Sequence, residues 1–481
     1  MKDERVEIVW GDLRDYESVK RGISGCSFVL HMGGMVSPKA DFVPKETFDT
    51  NINGAKNIVR AIKEEKNPDD VKVVYIGTVA ETGDRNEPIH WGRCSDPICI
   101  AIYDHYGVSK AKAEQIFAEP GLKHWVSLRQ SGIIHPKILY NIGPIVMHVV
   151  LRGVIEWATI EDSANLMCNV FDEKVPESFW RNFYNISSGP DYRLTNYEFE
   201  EKILYSLGMG HDAPMKIFEP NWFINRNFHG QWYSDADKLE NYLHFRKNIK
   251  VDEYFQRMKE NVPVIFKLSF LGCNAIGKTF MRFIAYNKRF GTLSWVKFKN
   301  EKRLQAYFGS YQMWNKIPKT WEETDLSRPS EKVIFLDHGY DENKPIDELD
   351  IEDMQKAAHF RGGECLSKSM KKGDLYTPLT WRCAFGHVFN MTPNIILKGG
   401  HWCPECDPIP WKYNSIAKVN PFFSQVWEPF HHEEEDLDYD MSIYNEYDEF
   451  CSKRKFVSKY LIFAIVLVII LIMIFYVIRK Q

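Results

Sequence analysis

Ten cysteines scattered through 481 residues are too few for a disulfide scaffold, and their one tight cluster has metal-ligand spacing, so the chain reads as a protein of a reducing compartment. An excess of either charge is missing too. Lys and Arg number 61 against 65 Asp and Glu, and the formal net charge of −4 gives no reason to expect a nucleic-acid partner. The opening MKDERVEIVWGDL has no apolar core and is no signal peptide. Internal repeats are absent. A hydrophobic share of 44% with 26% charged residues is ordinary globular composition, and the length suits roughly two to four domains.

Long apolar runs are absent until the end. There Tyr460 to Ile478 is unbroken by charge, with Lys453, Arg454, Lys455 and Lys459 before it and Arg479 and Lys480 after it. That length matches the hydrocarbon thickness a helix must cross, so 460–478 is expected to be a transmembrane helix. With no export signal, the expectation is a single-pass membrane protein anchored at its C-terminus, its body in the cytoplasm.

Over the first 136 residues strand and helix signals alternate. Val6–Trp10 and Phe28–His31 are short apolar runs that end in glycine; Phe48–Ile62 carries apolar residues at helical spacing. Val71–Ile76 reads as a strand, Tyr106–Phe117 as a helix and Trp125–Leu128 as a strand. Such alternation predicts an α/β fold with a parallel sheet covered on both faces. Residues 137–326 are less regular and rich in aromatics. Asp325–Glu331 is a polar linker, 332–430 a unit rich in Trp, Gly, His and Cys, and 431–459 a spacer, acidic at its start and basic at its end.

Tyr106 and Lys110 stand four apart, so a helix presents phenol and ammonium on one face, where the ammonium would favour the phenolate. Upstream, Val71–Ile76 leads into Gly77-Thr78, which would put a hydroxyl at the carboxyl edge of a parallel sheet, where doubly wound folds bind ligands. Together with Gly11–Asp15, Val29–Gly34, Asn51–Asn57 and Leu128–Gly132, these segments occur in the order that resembles the extended short-chain dehydrogenase/reductases. That group of NAD-dependent epimerases and dehydratases includes 3β-hydroxysteroid dehydrogenases.

The resemblance covers about residues 5–140 and implies a Rossmann-like doubly wound parallel sheet. It implies Tyr106 as general acid/base, Lys110 as its partner and a holder of the nicotinamide ribose, and Thr78 as the hydroxyl that orients the substrate oxygen. It assigns Asp12 and Leu13 to the adenine end of NAD or NADP, and Gly33 and Gly34 to the close passage of backbone past the cofactor. Asn51 is expected to support structure. The implied activity is NAD(P)-dependent oxidoreduction, epimerisation or dehydration at a C–OH/C=O carbon of a small molecule, apolar or sugar-linked. The alternative is a non-catalytic, membrane-anchored scaffold with a degenerate dehydrogenase fold. The family opens with a strand and a GxxGxxG turn that cradles the pyrophosphate. This chain starts at what resembles the second half of that unit, so a longer native protein is expected, with roughly 50–60 further residues.

Glu156–Ala164 is expected to pack the substrate lobe (137–326) against the sheet. Trp222, Phe223, Phe228, Trp232 and Tyr233 either line an apolar substrate surface or fill a core. Gly272–Thr279 fits the P-loop pattern, but too little chain surrounds it for that fold, and an apolar helix is the better reading. Cys383, His387, Cys403 and Cys406 form two close pairs of thiolate and imidazole ligands, which predicts a structural zinc in the 332–430 module. That module resembles small zinc-ribbon or treble-clef units. Cys365 and His401 are substitute ligands that do not improve the pairing.

Overall fold

The computed structural model describes residues 3–37, 39–118, 121–140, 143–262, 274–406, 412–431, 435 and 439. The predicted transmembrane run 460–478 lies outside the described residues. Among the described helices none is long and apolar enough to cross a membrane.

Four parallel strands form the central sheet: β1 (Phe28–His31), β2 (Lys72–Thr78), β3 (His124–Gln130) and β4 (Asn182–Ile186), hydrogen-bonded in that order. The side chains of β2 and β3 alternate as a buried sheet requires. Val73, Tyr75 and Trp125 enter the core cluster on one face, and Val74, Val126 and Leu128 the cluster on the other. The first face is covered by α1 (Tyr16–Ile23), α2 (Gly54–Lys63) and α3 (His105–Ala118). Onto the second pack α4 (Ile160–Asn169) and the turn of helix Asp237–Leu243. The Rossmann-like α/β sheet expected from the sequence is therefore present.

Val6–Trp10 departs from its strand-like reading. Among the described residues no strand pairs with it, and Trp10 stands 86% exposed. An apolar run becomes a strand only where a neighbour accepts its backbone bonds.

The lobe core gathers Trp157, Phe199, Trp222, Phe223, Tyr254 and Phe255. Trp232 and Tyr233 are fully enclosed as well, so four of the five aromatics singled out above are core, and Phe228 is half-buried. Glu156–Ala164 does join lobe to sheet. Thr159 caps α4, Asp162 accepts from Ser188 Oγ at 2.6 Å, and Glu156 accepts from Ser187 Oγ at 2.6 Å and Arg193 Nε at 2.9 Å. Gly277, Lys278 and Thr279 lie within the helix Asn274–Ala285, where Lys278 pairs with Glu219 at 3.0 Å. A helix interior has no free N–H groups for phosphate, so the P-loop resemblance is accidental.

The segment from 332 is less separate than its composition suggests. Met354 and Ala357 of helix Ile351–Phe360, Trp381, Ile395, Ile396 and Trp402 share one continuous core with Ile58, Tyr75, Phe117 and Trp125. Two described residues of the acidic stretch also meet the body: Glu435 pairs with Arg226 at 2.8 Å, and Tyr439 is 2% exposed. At these two residues contacts with the body replace the free spacer expected over 431–459, and the residues between them lie outside the described ones.

Candidate active site

β2 delivers Thr78 to the carboxyl edge of the sheet, as expected. There Thr78 caps the short turn Val79–Thr82: its Oγ1 accepts from Ala80 N at 3.3 Å, and Glu81 Oε1 accepts from Thr78 N at 3.3 Å. The Tyr106 phenol on α3 is half-buried and lies beside the Thr78 side chain. Desolvation pushes this phenol well above the usual tyrosine range, and the neighbouring Thr78 hydroxyl draws it partly back. At neutral pH Tyr106 therefore holds its proton and is set to donate it.

Lys110 shares the α3 face with Tyr106, and its ammonium packs against the end of β2. Nζ donates to the Ile76 carbonyl at 2.5 Å and lies 4.3 Å from the centroid of the Tyr75 ring. Burial lowers it to about 8, against the pull of Glu81 and Glu114. Cation and ring form a favourable pair only because the ring face is electron-rich and desolvated.

Asn51 supports structure. Its Oδ1 accepts from Met35 N at 2.8 Å, and its Nδ2 donates to Ser109 Oγ at 2.8 Å. Ser109 in turn donates to the Tyr106 carbonyl at 2.8 Å, so the loop after β1 is tied to α3. The glycine pair has a packing reason of its own. A Cβ at Gly33 would meet Leu13 Cδ1 at 3.2 Å, and one at Gly34 would meet Asn51 Oδ1 at 2.9 Å. Leu13 is pinned by Asn57, which donates to its carbonyl at 2.8 Å. Asp12 is exposed and paired with Arg14 at 2.6 Å; that bond lowers its carboxyl to about 2.

Sequence reasoning passed over a second group of charges. Arg129 on β3, with no exposed surface, donates from Nη2 to Glu114 Oε1 at 2.6 Å and from Nε to Glu114 Oε2 at 3.0 Å. Glu81 Oε2 lies 3.4 Å from Arg129 Nε. Burial and the Glu114 charge raise the Glu81 carboxyl to about 8, whereas Arg129 holds Glu114 far below the usual range. Glu81, Glu114 and His401 lie close enough to suggest a cation site. The Arg129 guanidinium already supplies the positive charge between the two carboxylates. One signal was available: an arginine inside the apolar strand Trp125-Val-Ser-Leu-Arg129 has to find a buried partner.

The four predicted metal ligands converge. Cys383 and His387 sit on the turn between β5 (Leu379–Arg382) and β6 (Val388–Met391), where Gly386 takes a left-handed conformation (φ 84°). Cys403 and Cys406 flank the turn that follows helix Pro393–Lys398. Their ligand atoms all lie within 4.8 Å of one another. His387 Nδ1 is 3.4 Å from Cys383 Sγ, 3.2 Å from Cys406 Sγ and 3.6 Å from Cys403 Sγ, and the Cys383 and Cys406 sulfurs are 3.9 Å apart. Cys365, buried on strand Glu364–Cys365, and His401, bonded to Glu114, stand outside this set.

Comparison with known proteins gives short sequence matches. A UDP-glucose 4-epimerase of Rickettsia bellii is 32% identical over 62 residues, which cover 13% of this chain and 18% of that protein. The corresponding enzyme of Rickettsia canadensis is 30% identical over 79 residues, 16% of this chain and 22% of that protein. The match thus spans about a fifth of the length of these curated relatives. Among solved structures, a dTDP-glucose 4,6-dehydratase of Streptomyces venezuelae with NAD bound is 18% identical. It covers 54% of this chain and 80% of its own, with a TM-score of 0.42. The profile of the NAD dependent epimerase/dehydratase family matches residues 1–128 of this chain.

Proposed function

We propose that the protein is a nicotinamide-dependent oxidoreductase or epimerase that acts at a C–OH/C=O carbon of a nucleotide-linked sugar. The observation that carries this reading is Tyr106, half-buried on α3, placed beside Thr78 at the sheet's carboxyl edge and one helical turn before Lys110. The sugar-nucleotide class is taken from the curated relatives, both UDP-glucose 4-epimerases.

NAD or NADP supplies hydride transfer when bound, and the chain's residues do the rest. Tyr106 donates its phenolic proton to the substrate oxygen and takes it back on the reverse path. Thr78, rigid as the cap of its turn, orients that oxygen. Lys110, held by the Ile76 carbonyl at the end of β2, places positive charge beside the ribose. Gly33 and Gly34, packed by Leu13 and Asn51, let backbone run close to the dinucleotide, and Asp12 stands at its adenine end.

Cys383, His387, Cys403 and Cys406 fit a structural zinc. A tetrahedron with metal–sulfur bonds of about 2.3 Å has edges of about 3.8 Å, close to the separations between these atoms. Four protein ligands leave no position for a substrate water, so the metal's part is to fold the turns. The run 460–478 tethers the protein to a membrane through a single C-terminal span, with the body in the cytoplasm.

Purified at native length, the protein should reduce NAD+ or NADP+, or epimerise substrate with bound cofactor, on part of a panel of UDP- and dTDP-sugars. Absence of turnover on that panel, with saturable cofactor binding retained, overturns the substrate class. Absence of cofactor binding overturns the enzyme reading and favours a scaffold. Removal of 456–481 should shift the protein from the membrane fraction to the soluble one.

A further inference from the structure

The Arg129–Glu114 pair is fully buried, and two of its partners, Gly399 and His401, come from the distant 399–401 turn. Arg129 Nη2 donates to the Gly399 carbonyl at 2.8 Å, and Nη1 donates to the Cys94 carbonyl at 3.0 Å. Gly399 caps the C-terminus of helix Pro393–Lys398, whose carbonyl end attracts a cation. Two residues on, His401 Nε2 lies 2.8 Å from Glu114 Oε1, while its Nδ1 faces Gln115 Nε2 at 3.1 Å. With Gln115 donating to Nδ1, the Nε2–H is left to donate to Glu114, and both ring nitrogens are used.

The same carboxylate and guanidinium touch the proposed redox site from two sides. Glu114 follows Lys110 by one turn on α3, the helix that also carries Tyr106. Arg129 reaches Glu81, whose other oxygen accepts the Thr78 amide. Between these lies Gly77, where an added Cβ would fall 3.4 Å from Glu114 Oε2 and 3.3 Å from Arg129 Cγ. A side chain here would also meet Ser127 Oγ at 3.1 Å, so the strand that ends in Thr78 packs closely against the ion pair.

We propose that His401 and the Gly399 carbonyl are positioning groups for Thr78 and Lys110, so that the turn leading into Cys403 and Cys406 braces the redox site from behind. A buried ion pair is stable only when every lone pair and proton is used, and loss of one partner strands a charge in the core. The turn at 399–401 is therefore part of the catalytic core's architecture. The proposal rests on the redox reading of Thr78 and Lys110, and its metal arm rests on the zinc reading.

The test is hydrogen exchange in the full chain, with zinc content measured in the same samples. His401→Leu removes the donor to Glu114; His401→Gln keeps an amide donor. The leucine variant should exchange about tenfold faster in peptides spanning 76–83 and 105–115, the weight of one charge-assisted hydrogen bond, with the lobe peptide 192–217 unchanged. The glutamine variant should return to within about threefold of the parent, which a general loss of packing would not allow. Cys403→Ser should lose zinc and reproduce the leucine effect at 76–83. Gln115→Leu, which removes only the bond to Nδ1, should loosen the same peptides more weakly and serves if His401→Leu does not fold. Parent-like exchange at 76–83 in His401→Leu, or equal loosening of all peptides, overturns the proposal. A parent free of zinc overturns the metal reading alone, because the leucine and glutamine contrast does not depend on it.

Discussion

The Lys110 ammonium donates to the Ile76 carbonyl at 2.5 Å and so closes the end of β2 onto α3. Lysine and strand end are thereby held as one unit, two residues before Thr78. Tyr106→Phe deletes a proton donor and leaves that unit intact. Turnover should fall about 10²–10⁴-fold with cofactor affinity within about twofold of the parent, whereas Lys110→Met should weaken both. Initial rates and cofactor titration by fluorescence separate the two; a phenylalanine variant as active as the parent would show the helix pairing to be accidental.

Gly400 is the position in the 399–401 turn least able to accept a side chain. Its φ is 71°, and an added Cβ would lie 1.9 Å from the Asp96 carbonyl oxygen. Since backbone must move on one side or the other, Gly400→Ala should cost at least about 2 kcal/mol, read as a lower urea midpoint. An unchanged midpoint would mean that the turn is not seated as described.

Glu200, on helix Asn196–Ser206, is 8% exposed, and burial raises its carboxyl from 4.5 to about 8. The folded pKa exceeds the unfolded one, so between about pH 5 and 8 the native state keeps a proton that the unfolded chain has released. Glu200 therefore contributes stability at low pH that is lost as pH rises to 8. Glu200→Gln should flatten that decline by up to a few kcal/mol, measured as unfolding free energy at pH 5 and pH 8. A variant with the parent's slope would show Glu200 to be hydrated.

Much of the N-terminal sheet and its helices could be read directly. Thr78, Tyr106 and Lys110 were legible because period-2 and period-3.6 patterns place them on a strand end and one helix face. The convergence of Cys383, His387, Cys403 and Cys406 was legible from their paired spacing, because two short turns bring the pairs together. The Arg129 cluster was not, because its members come from the turn after β2, from α3, β3 and the 399–401 turn, with Glu114 and His401 separated by 287 residues. Local periodicity carries no information about such a pairing. The apparent independence of 332–430 failed for the same reason. Its composition shift is real, but Trp381, Ile395 and Trp402 complete the core beneath α3.

The metal account makes a prediction about which cysteines count. Cys403→Ser should lower zinc to well under one equivalent per chain, with affinity down at least about tenfold. Cys365→Ser should leave zinc unchanged, since Cys365 packs on a strand outside the cluster. Elemental analysis of dialysed protein checks both, and equal dependence on Cys365 and Cys403 would refute the ligand set.

The account stands on Tyr106 moving a proton while a nicotinamide carries hydride. The most direct measurement is transfer of deuterium from a sugar nucleotide labelled at the reacting carbon to the cofactor, followed by mass spectrometry in parent and Tyr106→Phe protein of native length. The account predicts label on the cofactor of the parent and at least about a hundredfold slower transfer in the variant. Equal transfer in both, or none in a parent that binds cofactor and substrate, would contradict it.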